Sequence, residues 1–287
     1  MLTVQQPRTL CLPSLSPHGF HRVVYYEWGD PANERVAICV HGLSRNGRDF
    51  DVLGEALSQT HRVIAVDMPG RGSSQWLSDP ADYVFPTYLT TLAALIARSN
   101  AATVAWVGTS MGALLGMVMA AQRDSPVSRL VVNDAGPVIE QGALARIRDY
   151  LGLAPTFDSI AQADTYIRAV SAPFGPLTDA QWDHLTQTSV ARNAEGRYAL
   201  TYDPAIAVPF RNAAAPVALW PLWDAIRCPT LVLRGAQSDL LSAATAQAMT
   251  ERGPKARLVE FEGVGHAPML LSPHQYAPVV EFLREDA

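Results

Sequence analysis

One segment, Val104-Ala105-Trp106-Val107-Gly108-Thr109-Ser110-Met111-Gly112, joins a short apolar run to a Gly-x-Ser-x-Gly pattern, and small apolar residues continue to Ala121. The apolar run predicts a strand, and the residues after Gly112 predict a helix that begins at a sharp turn. Gly108 and Gly112 leave room at the place where such a strand and helix nearly touch. The turn would project the Ser110 hydroxyl beside the amide N–H groups of the helix start. We therefore interpret Ser110 as a candidate nucleophile.

Further apolar runs and helical patterns alternate along the chain on both sides of this segment. Alternation of this kind specifies an open, mostly parallel α/β sheet with helices on both faces, a doubly wound arrangement. The predicted strands are His21 to Trp28, Val36 to Val40, Arg62 to Val66, Leu130 to Val132, Thr230 to Arg234 and Ala256 to Phe261. The predicted helices are Asp49 to Leu57, Tyr88 to Ala97, Ala113 to Ala121, Ala243 to Glu251 and Pro273 to Arg284.

The alternation stops between Pro137 and about Pro221, where helical segments are broken by prolines and interspersed with aromatic residues. We interpret this stretch as a helical cap inserted into the sheet domain, with ordinary helices packed around the sheet as the alternative. The division is then 1–136 for the first part of the core, 137–221 for the cap and 222–287 for the second part of the core. Aromatic residues of the cap, including Trp182 and Trp220, are predicted to form an apolar wall over Ser110 and contact the substrate.

Composition limits the classes of function. A chain of 287 residues, of which 48% are hydrophobic, can bury one large core. The net charge of −5 arises from 22 basic and 27 acidic residues without long runs, which argues against a nucleic-acid or anionic-membrane surface. A small molecule is the expected partner, and the sequence carries no signal for the oligomeric state.

No apolar stretch approaches the roughly 18 residues of a membrane span, and Met1 to Pro13 lacks the pattern of a signal peptide. We therefore expect a cytoplasmic protein. The three cysteines are scattered, and the histidines form no HExxH pattern. These observations predict neither a metal nor another cofactor.

Polar residues follow several predicted strands at their carboxyl ends, which is where open α/β sheets bind ligands. They are His41, Asp67, Ser110, Asp134, Asp239 and His266. The glycine-rich run from Asp67 to Ser74 lacks the Gly-Lys-Ser/Thr ending of a phosphate loop, so we interpret it as a structural turn. A serine, an aspartate and a histidine after separate strands, in that chain order, match the order of α/β hydrolases.

Taken together, these motifs resemble the α/β-hydrolase superfamily of serine hydrolases, over roughly Phe20 to Pro137 and Leu222 to Leu283. The resemblance rests on His-Gly at 41–42, Asp-Met-Pro-Gly-Arg-Gly at 67–72, Gly-Thr-Ser-Met-Gly at 108–112, the Gly-x-x-Ser-Asp turn at 235–239 and Gly-His at 265–266. It implies the α/β-hydrolase fold with an inserted cap. Members include carboxylesterases, lactonases, carbon–carbon bond hydrolases and cofactor-free haloperoxidases, so the fold does not choose among activities.

The roles expected from acyl-transfer chemistry are Ser110 as the nucleophile, His266 as its general base and Asp239 as the residue that orients His266. Asp134 also ends a strand and is the rival acid, but the family-like turn before Asp239 favours Asp239. The backbone N–H groups of Leu43 and Met111 are the expected oxyanion donors.

The preferred function is hydrolysis of a carboxylic ester, thioester or lactone of a small, largely apolar substrate through an acyl-enzyme. The alternatives are a carbon–carbon bond hydrolase acting on a vinylogous diketone and a ligand-binding member of the fold with a silent triad. Arg45 and Asn46, in the loop after a central strand, are candidate contacts for a polar group of the substrate.

Overall fold

The central element of the fold is an eight-stranded, mostly parallel sheet. The computed structural model describes residues 2, 4–212 and 218–285. In this part of the chain the strands are β1 (Arg8–Ser16), β2 (Gly19–Trp28), β3 (Val36–Val40), β4 (Arg62–Val66), β5 (Val104–Thr109), β6 (Val127–Asn133), β7 (Thr156–Phe157), β8 (Val190–Arg192), β9 (Tyr198–Leu200), β10 (Thr230–Gly235) and β11 (Arg257–Phe261).

The helices lie on both faces of this sheet and in the segment between β6 and β10. They are α1 (Asp51–Leu57), α2 (Phe85–Ser99), α3 (Met111–Ala120), α4 (Gln141–Tyr150), α5 (Ile160–Val170), α6 (Asp179–Ser189), α7 (Ala207–Asn212), α8 (Trp220–Ala225), α9 (Ala243–Glu251) and α10 (Pro273–Arg284).

The order of strands in the large sheet is β1-β2-β4-β3-β5-β6-β10-β11. Strands β1 and β2 pair antiparallel and β2 is antiparallel to β4, whereas every later pair is parallel. All residues of β3 and β10 are buried, as expected for strands covered on both faces. The predicted α/β sheet is confirmed, and β3, β4, α9 and α10 begin and end where the sequence pattern placed them.

Strand β1 is not among the predicted elements. It pairs with β2 at the edge of the sheet, and only alternate residues of its second half are buried. An edge strand of this kind produces no continuous apolar run, so the signal that revealed the inner strands is missing here.

The predicted cap contains more than helices. Besides α4 to α7 it includes a small antiparallel sheet in the order β7-β9-β8, and these strands are not among the predicted elements. Residues 213–217 of the predicted cap lie outside the described residues. The predicted boundary between 221 and 222 falls inside α8, whose Trp223 is completely buried in the main core. Helix α8 therefore packs as part of the sheet domain.

A separate apolar cluster anchors the cap to the core. Phe157, Ile167, Trp182 and Leu185 of the cap pack with Met269 and Leu271 from the loop after β11. Because this loop also carries His266, the cap is fixed close to the carboxyl edge of the sheet. No helix among the described residues has the length and apolar character needed to cross a membrane.

Candidate active site

Ser110 lies at the corner between β5 and α3, with backbone angles φ 53° and ψ −113°. A non-glycine residue rarely adopts a positive φ, and such strain is typical of functional positions. The glycines around Ser110 explain how the corner forms. A Cβ on Gly108 would lie 2.2 Å from the carbonyl oxygen of Gly112, and one on Gly112 would lie 1.9 Å from that of Val40. Only glycine allows these backbones to approach so closely.

The Ser110 hydroxyl lies within hydrogen-bonding distance of His266, whose other ring nitrogen contacts a carboxylate. The distance from Ser110 Oγ to His266 Nε2 is 2.9 Å, and His266 Nδ1 lies 2.7 Å from Oδ2 of Asp134. The Asp134 side chain is completely buried and the His266 side chain is 12% exposed. This arrangement has the geometry of a nucleophile, a base and an orienting acid.

Asp134 follows β6 directly and is held by the neighbouring strand as well as by His266. Its backbone has a φ of 53°. Its carboxylate accepts hydrogen bonds from the Gly235 amide at 3.0 Å and from the Ser238 hydroxyl at 2.7 Å. Since β6 and β10 are adjacent parallel strands, the loop after β10 supplies the donors that fix this carboxylate.

The prediction that Asp239 orients His266 is therefore wrong for this structure. Asp239 accepts two hydrogen bonds from Arg146 of α4, at 2.7 and 2.9 Å, and its side chain is 45% exposed. These hydrogen bonds hold the pKa of Asp239 below its ordinary value. In the Gly-x-x-Ser-Asp turn it is Ser238 that points towards the buried acid, whereas Asp239 points towards the cap.

The predicted oxyanion donors lie beside Ser110. Met111 is the first residue of α3, so its N–H has no partner within the helix. A Cβ on Gly42 would lie 3.6 Å from the Cβ of Ser110, which places the following Leu43 against the nucleophile. Neither amide donates to an acceptor in the part of the chain that the structure describes. Their role as oxyanion donors stays a prediction.

His41 and Asp67 form a buried framework beneath this loop. His41 Nε2 accepts from the Met68 amide at 3.0 Å, and Nδ1–H donates to the Gly42 carbonyl at 2.6 Å. Burial lowers the pKa of His41 to about 3, so the ring is neutral. Asp67 accepts from the amides of Gly47 and Ser73, each at 2.7 Å, and burial raises its pKa to about 6.

Arg71 lies in the predicted structural turn from Asp67 to Ser74 and contacts the residues around Ser110. Its guanidinium is completely buried, donates to the Leu43 carbonyl at 2.9 Å and approaches Met111 Sδ at 4.0 Å. It also donates to the hydroxyl of Tyr88 at 2.7 Å. Arg71 therefore fixes the loop that carries one predicted oxyanion donor and contacts the residue that carries the other.

Of the predicted substrate contacts, Arg45 lines a cavity at Ser110, where its guanidinium is bound by Asp49 and Ser189. Asn46 does not line a cavity at Ser110; it is 3% exposed and donates to the Thr188 carbonyl.

The prediction that Trp182 and Trp220 contact the substrate is wrong for this structure, because neither lines a cavity at Ser110. Trp182 is buried inside the cap cluster and Trp220 packs beneath Arg252. A large aromatic side chain buries the most apolar area when it packs inside a core. Here this burial outweighs a position in which the ring is exposed to the cleft.

Two cavities of different character meet at Ser110. The Arg146 cavity, about 110 Å³, is lined by polar and apolar residues that include Arg45, Asp49, Arg146, Tyr150 and His266. The Leu114 cavity has a volume of about 280 Å³, and the described residues that line it are almost all apolar or aromatic; they include Tyr88, Met111, Leu114, Ile139 and Leu144. Leu43, Ser110 and Ile147 line both. Among the described residues no cluster of histidine, cysteine, aspartate and glutamate could hold a metal ion.

This fold, with a serine at the strand–helix corner and a histidine after the last strand, is that of an α/β hydrolase. The model of the alpha/beta hydrolase family matches residues 37–279, and the chain belongs to this family. Among solved structures it is similar to a hydrolase from Rickettsia typhi, with 31% identity, a TM-score of 0.91 and coverage of 99% of this chain and 100% of that one. An alpha/beta hydrolase from Novosphingobium aromaticivorans is 35% identical, with a TM-score of 0.88 and coverage of 98% and 99%.

Two relatives are named as an oligomer hydrolase and a methyl ester esterase. A 3-hydroxybutyrate-oligomer hydrolase of Cupriavidus necator is 44% identical over 96% of this chain and 97% of its own length. A pimeloyl-[acyl-carrier protein] methyl ester esterase of Xanthomonas campestris is 29% identical over 84% of this chain and 91% of its own length. The protein is a carboxylic ester hydrolase of the α/β-hydrolase type.

Proposed function

We propose that this protein hydrolyses short 3-hydroxybutyrate oligomers by serine catalysis, with Ser110, His266 and Asp134 as the catalytic residues. The observation that carries the mechanism is the hydrogen-bonded series from Ser110 to His266 and from His266 to Asp134, at 2.9 and 2.7 Å. The substrate class is supported by the relative from C. necator, which aligns with nearly the whole of this chain.

In the first half of the reaction Ser110 Oγ attacks the ester carbonyl carbon while His266 Nε2 accepts the hydroxyl proton. Asp134 keeps the Nδ1 proton of His266 directed at its carboxylate and stabilises the imidazolium that forms. The amides of Leu43 and Met111 stabilise the negative oxygen of the tetrahedral intermediate. Loss of one such donor typically costs about 2.7 to 4 kcal/mol.

The intermediate then collapses, the carbon–oxygen bond to the leaving group breaks, and His266 returns the proton to the departing alcohol oxygen. An ester between Ser110 and the acyl group remains. In the second half His266 accepts a proton from water, the water oxygen attacks this ester, and the proton is returned to Ser110 as the carboxylic acid leaves.

The Leu114 cavity suits the acyl half of such a substrate. The acyl half of a 3-hydroxybutyrate ester is a four-carbon chain with an uncharged hydroxyl or a further ester. Each methylene buried against the apolar lining contributes roughly 0.8 kcal/mol. Short uncharged acyl chains should therefore be accepted, with kcat/KM rising a few-fold per carbon until the cavity is filled.

Labelling and turnover test the proposal together. The wild-type enzyme should release monomer from a 3-hydroxybutyrate trimer and form one fluorophosphonate adduct, located on Ser110 by mass spectrometry. Ser110→Ala should abolish both while its circular dichroism is unchanged. Ser58→Ala, at the end of α1 and remote from the site, should behave like the wild type.

The possible outcomes distinguish an error in the serine mechanism from an error in the substrate class. An adduct on another residue, or trimer hydrolysis by Ser110→Ala, would refute the serine mechanism. Labelling of Ser110 with turnover of p-nitrophenyl esters but not of the trimer would refute the substrate class alone. Cleavage of a vinylogous diketone in preference to every ester would favour the carbon–carbon hydrolase.

A further inference from the structure

We infer that Arg146 is a specificity-determining residue, which binds a carboxylate in the leaving-group half of the substrate. The inference rests on the proposed function for the roles of Ser110 and His266. Through Arg146, the cap helix α4 would select substrates that carry a free acid on the alcohol side of the scissile bond. Binding of this carboxylate by Arg146 would also set the direction in which an oligomer lies across Ser110.

The position of His266 decides which cavity receives the leaving group. His266 must return a proton to the departing oxygen, so that oxygen has to lie on the side of Ser110 to which the imidazole is open. His266 lines the Arg146 cavity and is absent from the lining of the Leu114 cavity. The leaving group therefore lies in the Arg146 cavity and the acyl group in the Leu114 cavity.

The charges in the Arg146 cavity favour an anion. Among the described residues, its charged lining residues are Arg45, Asp49 and Arg146. Arg45 is bound bidentately by Asp49, at 2.9 and 2.5 Å, and also donates to Ser189 at 3.0 Å, so the charges of Arg45 and Asp49 offset each other within the cavity. The partner of Arg146 is Asp239, which does not line the cavity. Arg146 is therefore the charged lining residue whose counter-ion lies outside the cavity, so a bound molecule meets its positive charge directly.

Arg146 also retains donors for a ligand. Asp239 occupies Nε and Nη2, and no hydrogen bond from Nη1 is found within the described part of the chain. A guanidinium has five N–H donors in a rigid plane, so an arginine held along one edge presents the remaining donors in a fixed direction. Its side chain is 34% exposed, compared with 14% for Arg45, so Arg146 is the more accessible of the two cations.

A 3-hydroxybutyrate unit matches this arrangement when it is the leaving group. Its carboxylate is separated from the departing oxygen by only two carbon atoms and enters the same cavity. The opposite orientation would bury a carboxylate in the Leu114 cavity, where no described residue of the lining is positively charged, and burial of an unpaired charge is strongly unfavourable. The enzyme should therefore remove the residue at the carboxyl end of an oligomer.

A matched pair of substrates tests the inference without requiring that oligomers be the natural substrate. The compounds 3-acetoxybutyrate and 3-acetoxybutanamide share the acyl group and the alcohol and differ only in the charge of the leaving group. Hydrogen bonds to a charged partner imply that wild-type kcat/KM should be about 10- to 100-fold higher for the acid. Arg146→Gln should bring this ratio close to one, mainly through KM for the acid, and Arg146→Lys should restore part of it.

The control variant is Arg148→Gln, which removes the same charge from an exposed position on the same helix and should leave the ratio unchanged. Added salt should lower the wild-type ratio, a readout that does not depend on the folding of any variant. A trimer labelled with 13C in its carboxyl-terminal unit should release labelled monomer first.

Three results would overturn the inference: a wild-type ratio near one, an equal loss for acid and amide in Arg146→Gln, or an equal fall of the ratio in Arg148→Gln. In each case both esters would still be cleaved in a Ser110-dependent manner, which distinguishes this failure from failure of the proposed function. If the proposed mechanism itself is wrong, hydrolysis of both esters persists in Ser110→Ala.

Discussion

Exchange of the carboxylate that contacts His266 for an amide should identify the acid of this site. In Asp134→Asn the side chain keeps its size, but one of its two oxygens becomes an NH₂ group. The carboxylate accepts from His266, the Gly235 amide and the Ser238 hydroxyl, so an amide in its place has fewer acceptor sites than donors to satisfy. If the NH₂ group faces Nδ1, the imidazole proton moves to Nε2, and the ring can no longer accept the proton of Ser110.

The expected fall in kcat for Asp134→Asn follows from the loss of this tautomer. In serine proteases the equivalent aspartate-to-asparagine change lowers kcat about 10⁴-fold. This corresponds to about 5.4 kcal/mol of lost transition-state stabilisation at 1.36 kcal/mol per factor of ten. Asp134 is completely buried and directly bonded to His266, so we expect a loss of about 10³- to 10⁴-fold in kcat.

Asp239→Asn is the matched control, because it makes the same chemical change four residues beyond β10. Asp239 is paired with Arg146 at the surface of the cap and does not contact His266. Exposed ion pairs of this kind typically contribute about 0 to 1 kcal/mol. With an uncharged substrate, Asp239→Asn should change kcat by less than about fivefold.

The assay is hydrolysis of p-nitrophenyl acetate at saturating substrate, because this ester is neutral and its turnover does not depend on a carboxylate near Arg146. Circular dichroism and thermal unfolding of both variants verify that they fold. A large loss in Asp239→Asn together with a small one in Asp134→Asn would refute the reasoning and return the role to Asp239. Equal, moderate losses would show that neither carboxylate acts alone.

Two further predictions concern stability. Gly112→Ala should destabilise the protein by about 3 kcal/mol or more, because the new Cβ would lie 1.9 Å from the carbonyl oxygen of Val40. The control is Gly142→Ala, whose Cβ would meet nothing within 4 Å and which should stabilise the protein by up to about 1 kcal/mol. Urea unfolding of both variants measures the difference, and equal free energies of unfolding would contradict the steric argument. Burial lowers the pKa of His41 to about 3 and of His61 to about 4 and raises that of Asp67 to about 6. Between about pH 6 and about pH 4 the unfolded chain therefore binds about two more protons than the folded protein on these histidines and about one fewer on this aspartate. As the pH falls, these three groups together should lower the free energy of unfolding by about 1.4 kcal/mol per pH unit. Urea titrations across this range check the slope, and a flat profile would disprove it.

Much of the fold can be predicted from the sequence, because apolar runs and the glycines of the corner at Ser110 are features of short segments of the chain. Nearly all residues of the inner strands β3 and β4 are buried, so these strands consist largely of apolar runs, and β3 begins and ends where its run does. The corner at Ser110 has an equally local cause, because the close backbone approaches at Gly108 and Gly112 exclude any side chain. The weakly patterned edge strand β1 and the short strands of the cap produce no comparable signal, since few of their residues are buried in a regular alternation.

The serine and the histidine of the site could be named from the sequence because each follows a strand at the same edge of a parallel sheet. Two aspartates, 134 and 239, satisfied that condition equally well. The choice between them depends on how adjacent strands pair: β6 and β10 lie side by side, and the turn after β10 directs Ser238 inward to Asp134 while Asp239 reaches the cap. The lining of the substrate cavities likewise depends on the packing of the cap, because Trp182 is buried in the interior of the cap and Arg146 lines a cavity that includes Ser110. Such side-chain directions result from the packing of segments more than 90 residues apart, as with Arg146 and Asp239, and no local pattern of residues encodes them.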